Sequence, residues 1–337
     1  MKRVVIGICL ALALVATANL FQGRAQEADQ SAQAASSDDR RANKNWAAGN
    51  PLKIALLNWY QANRVPTTFD VGKSKNSQPY GVAFDGANIW TANSSEGTVS
   101  KLRASDGAPL GRFTVGGQPN GVVFDGANVW VTVSPNTVSK LRASDGKVLG
   151  SFDVGGAPWW PAFDGENIWV PNFSDGTVSE LRASDGKNLG TINISGAIGA
   201  AFDGTFVWVT GYGGTVTKLR ATDGKTVGTY SVGHNPIGLA FDGANIWVAN
   251  NADGTVSKLR ASDGTTLGTF SAPGSPYGVA FDGVNIWVTG TYVVELRDSD
   301  GAQLGLFDVG SPTSTGVAFD GENIWVAVAF KNSVNKM

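Results

Sequence analysis

The chain has 337 residues, 42% of them hydrophobic and only 16% charged, with a formal net charge of -2, which is enough for one large domain or two ordinary ones. No basic stripe is available to neutralise phosphates, so a nucleic-acid partner is excluded. With one histidine and one cysteine, the chain is poor in the His, Cys or carboxylate sets of three or four that a zinc site needs.

The first 25 residues stand apart. Lys2 and Arg3 precede the apolar run VVIGICLALALVATA, and small residues suited to cleavage follow at Ala18 and Ala25. This pattern predicts a signal peptide and a periplasmic or extracellular protein. Cys9 lies inside the run behind Ile8, which disfavours a lipidation site and leaves the mature chain without a thiol. An uncleaved anchor is the alternative, although the run falls short of the roughly 20 residues a spanning helix needs. Residues 26–45 contain no aromatic or large aliphatic side chain and read as a disordered tether. Over 46–64, Asn50 is placed to cap a helix and Pro51 to occupy its first position. Leu52, Ala55, Leu56, Trp59 and Tyr60 then follow at helical spacing. A short amphipathic helix is unstable alone, so docking on the main domain is expected, with partner binding as the alternative.

From residue 65 onward one unit is written seven times, anchored on FDG at Phe84, Phe124, Phe163, Phe202, Phe241, Phe281 and Phe319. The period of about 39 residues, with four short strand-like runs per unit, is that of a four-stranded propeller blade. The expected fold is therefore all-β, a seven-bladed β-propeller. Phe113 and Val115 flank Thr114, and Phe152 and Val154 flank Asp153, an alternation that puts the apolar pair on one strand face. The Asp-Gly pairs of FDG and ASDG supply the positive backbone angles of tight hairpins. Trp90, Trp130, Trp169, Trp208, Trp247, Trp287 and Trp325 recur at one place in the second strand and are expected to form the core between blades.

The last unit ends on SVNKM, a third strand, whereas TTFDV at 67–71 matches a fourth. Thr67–Val71 is thus expected to pair with Ser333–Met337 and to close the ring, removing an exposed edge.

The phrases PYGVAFDGANIW and NTVSKLRASDG resemble the YVTN-type and NHL-like propellers of exported bacterial proteins, across residues 67–337. The Trp-Asp dipeptide of WD-type propellers is absent. A more distant resemblance to streptogramin lyases implies the same fold and, in that family, an activity depending on histidines, glutamates and a magnesium ion at the channel mouth. Those residues do not carry over. The chain offers only His234, and Glu96, Glu166, Glu180, Glu295 and Glu322 form no evident mouth cluster, Glu166 and Glu322 lying in FDG turns.

The resemblance also implies which loops share a face. Turns after the first and third strands lie on one face and barely vary between copies. The other connections lie on the opposite face and vary freely, so the varied face is where binding is expected. One position per blade opens the channel: Tyr80, Asn120, Trp159, Ile198, Ile237, Tyr277 and Thr315. The next residue is glycine in six copies and Trp160 in the third, followed by Pro161. Trp159, Trp160, Tyr80 and Tyr277, joined by Phe173, Tyr212, Tyr292 and Phe330, would form an aromatic rim for a flat or sugar-like ligand or a partner. Alternatively Trp160 plugs the channel. His234, the last candidate binding residue of this face, lies in a varied loop with no carboxylate partner evident, and reads as an ordinary loop residue rather than a base. The expected protein is a monomeric, non-catalytic exported binding module needing no metal or cofactor, with no membrane span after signal cleavage. Its partner would be an envelope protein, a glycan or a small ligand. A metal-dependent lyase-like enzyme is the alternative, and a purely structural propeller the third.

Overall fold

The computed structural model describes residues 67–73 and 77–337. The expected signal peptide, tether and amphipathic helix lie outside the described residues. Seven four-stranded antiparallel sheets follow one another in chain order. Blade 2 is representative, with strands Gln118–Phe124, Asn128–Ser134, Thr137–Arg142 and Val148–Asp153. First strands of neighbouring blades pack against one another and so surround the axis, while fourth strands form the rim.

Blade 7 takes its first three strands from Ser314–Phe319, Ile324–Val328 and Ser333–Lys336, and its fourth from Thr67–Asp70. Thr67 pairs with Lys336 and Asp70 with Ser333. The ring is closed as the sequence predicts, with each strand one residue shorter at its C-terminal end than expected. Phe69 lies 5.4 Å from Trp325, as Phe113 lies 5.6 Å from Trp90. The carbonyl of Val71 accepts Ser100 Oγ at 2.6 Å and Arg112 Nη2 at 2.6 Å, tying the closing strand to blade 1.

The tryptophans at the repeated position are buried, six of them fully, and each has a polar anchor. The indole N–H donates to the FDG aspartate five residues earlier at 2.7 Å in every blade, from Trp90 to Asp85 through Trp325 to Asp320. The other carboxylate oxygen accepts backbone N–H groups of the same turn, as Asp125 does from Ala127 and Asn128. One side chain therefore shapes the hairpin and satisfies the buried indole.

A second device joins neighbours. Lys101, Lys140, Lys218, Lys258 and Lys336 each stand cross-strand from their blade's tryptophan. Each ammonium lies 4.6–5.5 Å from that ring's centroid and donates to a carbonyl in the third-to-fourth turn of the next blade. Lys140, for example, reaches Ala183 O at 2.6 Å and Ser184 O at 3.2 Å. Lys140→Met leaves these carbonyls unpaired, and a loss of about 1–3 kcal/mol is expected, read as a lower denaturant midpoint at unchanged slope.

Candidate functional site: the aromatic mouth of the channel

The glycines beside the mouth follow from close packing at the axis. A Cβ on Gly81 would lie 2.6 Å from Asn120 O, and one on Gly278 would lie 2.6 Å from Thr315 O. Innermost strands approach too closely for any side chain to point sideways. In blades 2, 4 and 6 the approach is bridged by a second-strand threonine, Thr132, Thr210 or Thr289. Thr132 Oγ1 accepts Gly121 N and donates to Trp159 O, both at 2.7 Å. Thr210 accepts Gly199 N at 2.9 Å and donates to Ile237 O at 2.8 Å.

Blade 3 departs from this pattern. Pro171 replaces the bridging threonine, and Pro158 and Pro161 have no N–H to donate. Its first strand shrinks to Ala162–Phe163. Trp160 instead makes a parallel bridge to Gly199 of blade 4, donating to Ile198 O at 3.1 Å and accepting Ala200 N at 3.0 Å. Displacement of this strand is what makes room for a side chain at the glycine position.

The Trp160 side chain lines the axial cavity of about 130 Å³ together with Gly81, Val122, Leu239 and Gly278. Its indole N–H is buried with no hydrogen-bond partner among the described residues. Ring contacts run across the mouth through this residue. Tyr80 meets Trp159 at 6.0 Å and 77°, Trp159 meets Trp160 at 6.4 Å and 79°, and Trp160 meets Tyr277 at 5.8 Å and 68°. All four side chains are partly buried. Burial pushes both phenols above the ordinary tyrosine range, with Tyr80 and Tyr212 adding to the effect on Tyr277. Both stay neutral donors at physiological pH.

The outer rim is less united than the sequence suggests. Phe173 and Tyr212 form their own edge-to-face pair at 5.5 Å. Tyr292 and Phe330 are 36% and 60% exposed, and among the described residues neither makes a ring contact. They flank the site on separate loops.

His234 corrects the sequence reading. It does have a carboxylate partner, Asp253 on the varied loop of its own blade, whose Oδ1 lies 2.9 Å from His234 Nδ1 and whose Oδ2 accepts His234 N at 2.7 Å. The sequence reading finds no carboxylate partner for His234 and so misses Asp253. The signal was available, because Asp175 stands at the same loop position in blade 3 and accepts Gly156 N at 2.8 Å. This acidic residue tethers the incoming loop, and His234, with 82% of its side chain exposed, extends the tether. Backbone and imidazole donation hold Asp253 below the usual carboxylate range. The magnesium set of the streptogramin lyases does not fit: among the described residues no three His, Cys, Asp or Glu side chains are grouped to hold a metal.

These features define a closed seven-bladed propeller with a run of aromatic rings at one end of its channel. The family described as outer membrane protein assembly factor BamB matches residues 174–307. No curated protein matches the sequence. Among solved structures, virginiamycin B lyase from Staphylococcus aureus, as the selenomethionine form and as a catalytically inactive form with quinupristin, superposes with a TM-score of 0.68 at 17% identity. These alignments cover 80% of this chain and 98% of the lyase. The WD40 β-propeller domain of Doa1 has the same TM-score at 15% identity, over 80% of this chain and 96% of that one. Similarity at this level shows the propeller fold. No helix among the described residues is long and apolar enough to cross a membrane.

Proposed function

We propose that the protein is an exported binding module of the cell envelope that holds a ligand or partner at the channel mouth without catalysis of its own. What supports this reading is the unbroken run of rings from Tyr80 through Trp159 and Trp160 to Tyr277, joined by Trp160, which alone stands where the sister blades hold glycine. Large rings with neutral donors at their margin suit a flat or hydroxylated uncharged ligand, or an apolar anchor of a partner protein. The match to a family described as an outer membrane assembly factor supports a periplasmic or extracellular setting. A lyase-like alternative would have to work through His234 and Asp253, a solvent-exposed pair whose carboxylate is already engaged by backbone.

Immobilised protein exposed to envelope extract and a glycan panel tests the reading. Trp159→Ala combined with Trp160→Gly is expected to weaken retention at least ~10-fold, the loss typical of truncating an aromatic anchor. Trp160→Gly restores the sister residue, so folding is expected to survive. His234→Ala is expected to retain as much as the parent. Equal retention by parent and double variant would show these rings to be packing alone.

A further inference from the structure

Blade 3 also breaks the lysine rule, on the face opposite the mouth. Glu180 stands cross-strand from Trp169, where Lys101 stands opposite Trp90 and Lys140 opposite Trp130. The turn that a lysine here would reach is present in blade 4, at Arg220–Gly224. No donor among the described residues reaches the carbonyl of Ala221 or Thr222, the counterparts of the Ala183 and Ser184 carbonyls that hold Lys140. The turn is correspondingly loose. Ala221 N lies 3.4 Å from Thr205 O, against 3.0–3.1 Å at Ala104, Ala143, Ala183 and Ala261, and Ala221 is half-buried where those four are buried.

The carboxylate itself is under pressure. Burial, then Asp164 and Glu166, push Glu180 above the ordinary glutamate range, and its hydrogen-bond donor is Asn167 Nδ2 at 2.9 Å. Blade 6 carries Glu295 at the same register, but the next blade is closed by Thr67–Asp70 and has no third-to-fourth turn to be bridged. Among the described residues, only the seam between blades 3 and 4 therefore combines an acidic residue at this register with unclaimed turn carbonyls. The fold already shows how such a set is filled. Lys258 Nζ sits 2.5 Å from Asp298 O and 3.2 Å from Asp298 Oδ1, with Asp242 Oδ2 at 3.9 Å, so carbonyl and carboxylate oxygens together hold one ammonium over a tryptophan.

We propose that the seam between blades 3 and 4 binds a primary ammonium group supplied from outside the blade, held by Glu180 and the carbonyls of Ala221 and Thr222 beside Trp169. A lysine side chain of a partner and a free alkylamine share this chemistry. The site is independent of the aromatic mouth, so either proposal can fail without the other.

Amide NMR and hydrogen exchange on the full chain test it, with n-butylammonium and tetramethylammonium compared at equal ionic strength. In the parent, n-butylammonium is expected to shift the Ala221 and Thr222 amide signals and slow exchange at Ala221. Tetramethylammonium, which has no N–H to donate, is expected to do neither. Glu180→Gln, which keeps shape and removes charge, is expected to weaken the response at least about tenfold. Glu180→Lys is expected to show slow Ala221 exchange with no ligand added and to ignore n-butylammonium. A lysine peptide that binds more tightly than n-butylammonium identifies a protein partner as the source, and the reverse order identifies a small amine. Equal responses to the two ammonium ions, or a Glu180→Gln response matching the parent's, overturns the proposal. If Glu180→Lys does not fold, the Gln variant and the ion pair decide the matter.

Discussion

Deleting the closing strand by starting the chain at Lys73 is expected to lower the melting temperature by ~10 °C and to make the protein aggregate on concentration. The strand contributes Phe69 against Trp325 and the buried Val71, each worth about 1.5–3 kcal/mol, and 1 kcal/mol shifts the midpoint of a domain this large by about 2–4 °C. Its loss also uncovers Ser333–Lys336 as an unpaired edge, the feature that lets strands of different molecules pair. Arg112→Ala, which keeps the strand but removes the clamp on Val71 O, is expected to lose a small part of this stability and no solubility. Scanning calorimetry with light scattering on the same samples separates the two effects. A truncated chain as stable and soluble as the parent would show that closure contributes nothing.

The second large effect is expected at the FDG aspartates. Asp125→Ala leaves the Trp130 indole N–H buried without its acceptor and releases two backbone N–H groups of the turn, a cost of about 3 kcal/mol. The same bonds govern the response to acid. Burial alone would raise the carboxyls of Asp85, Asp125 and Asp320, but indole, asparagine and backbone donors outweigh it and hold all three below the ordinary aspartate range. Such depressed groups bind protons more weakly when folded than when unfolded. Their stabilisation is complete above the unfolded value of about 4 and is lost as pH falls through the folded values. Equilibrium unfolding followed from pH 6 downward is expected to show a flat region and then a steep fall below about pH 4. Asp125→Asn, which still offers an oxygen to the indole but no charge, is expected to cost less than Asp125→Ala and to shallow the acid limb.

The architecture was legible because it is periodic. FDG, the second-strand tryptophan and the alternating fourth strand each recur once per blade, and the mismatch between the two ends showed which strand closes the ring. The seams were not legible. Lys140 in TVSKLR looks like a solvated strand lysine until the neighbouring turn is in place, and its role depends on Ala183 O and Ser184 O, which lie in another repeat. Asp125 was read as a turn residue, which it is, while its bond to Trp130 was hidden because both positions are invariant across copies and their pairing adds no further pattern. At the mouth, Trp160 stood out by breaking the glycine series. The shortened first strand and the parallel bridge to Gly199 that accompany it were not legible, because they depend on how closely the innermost strands approach. Tyr292 and Phe330 were grouped with it because loops of one face share a position in the repeat, which fixes the face but not the reach of a side chain.

The closing strand also sets the order of events in folding. Blades 1 to 6 are each made from contiguous chain and can zip locally, whereas blade 7 joins segments from opposite ends of the propeller. Bringing distant segments together has a high entropic cost and is slow in folding, so this pairing is the natural last step. Until it happens the molecule is an open arc with one unsatisfied terminus at each side. Two arcs meeting in that interval are expected to be able to exchange their Thr67–Asp70 strands, so the yield of closed rings is expected to fall as protein concentration during refolding rises.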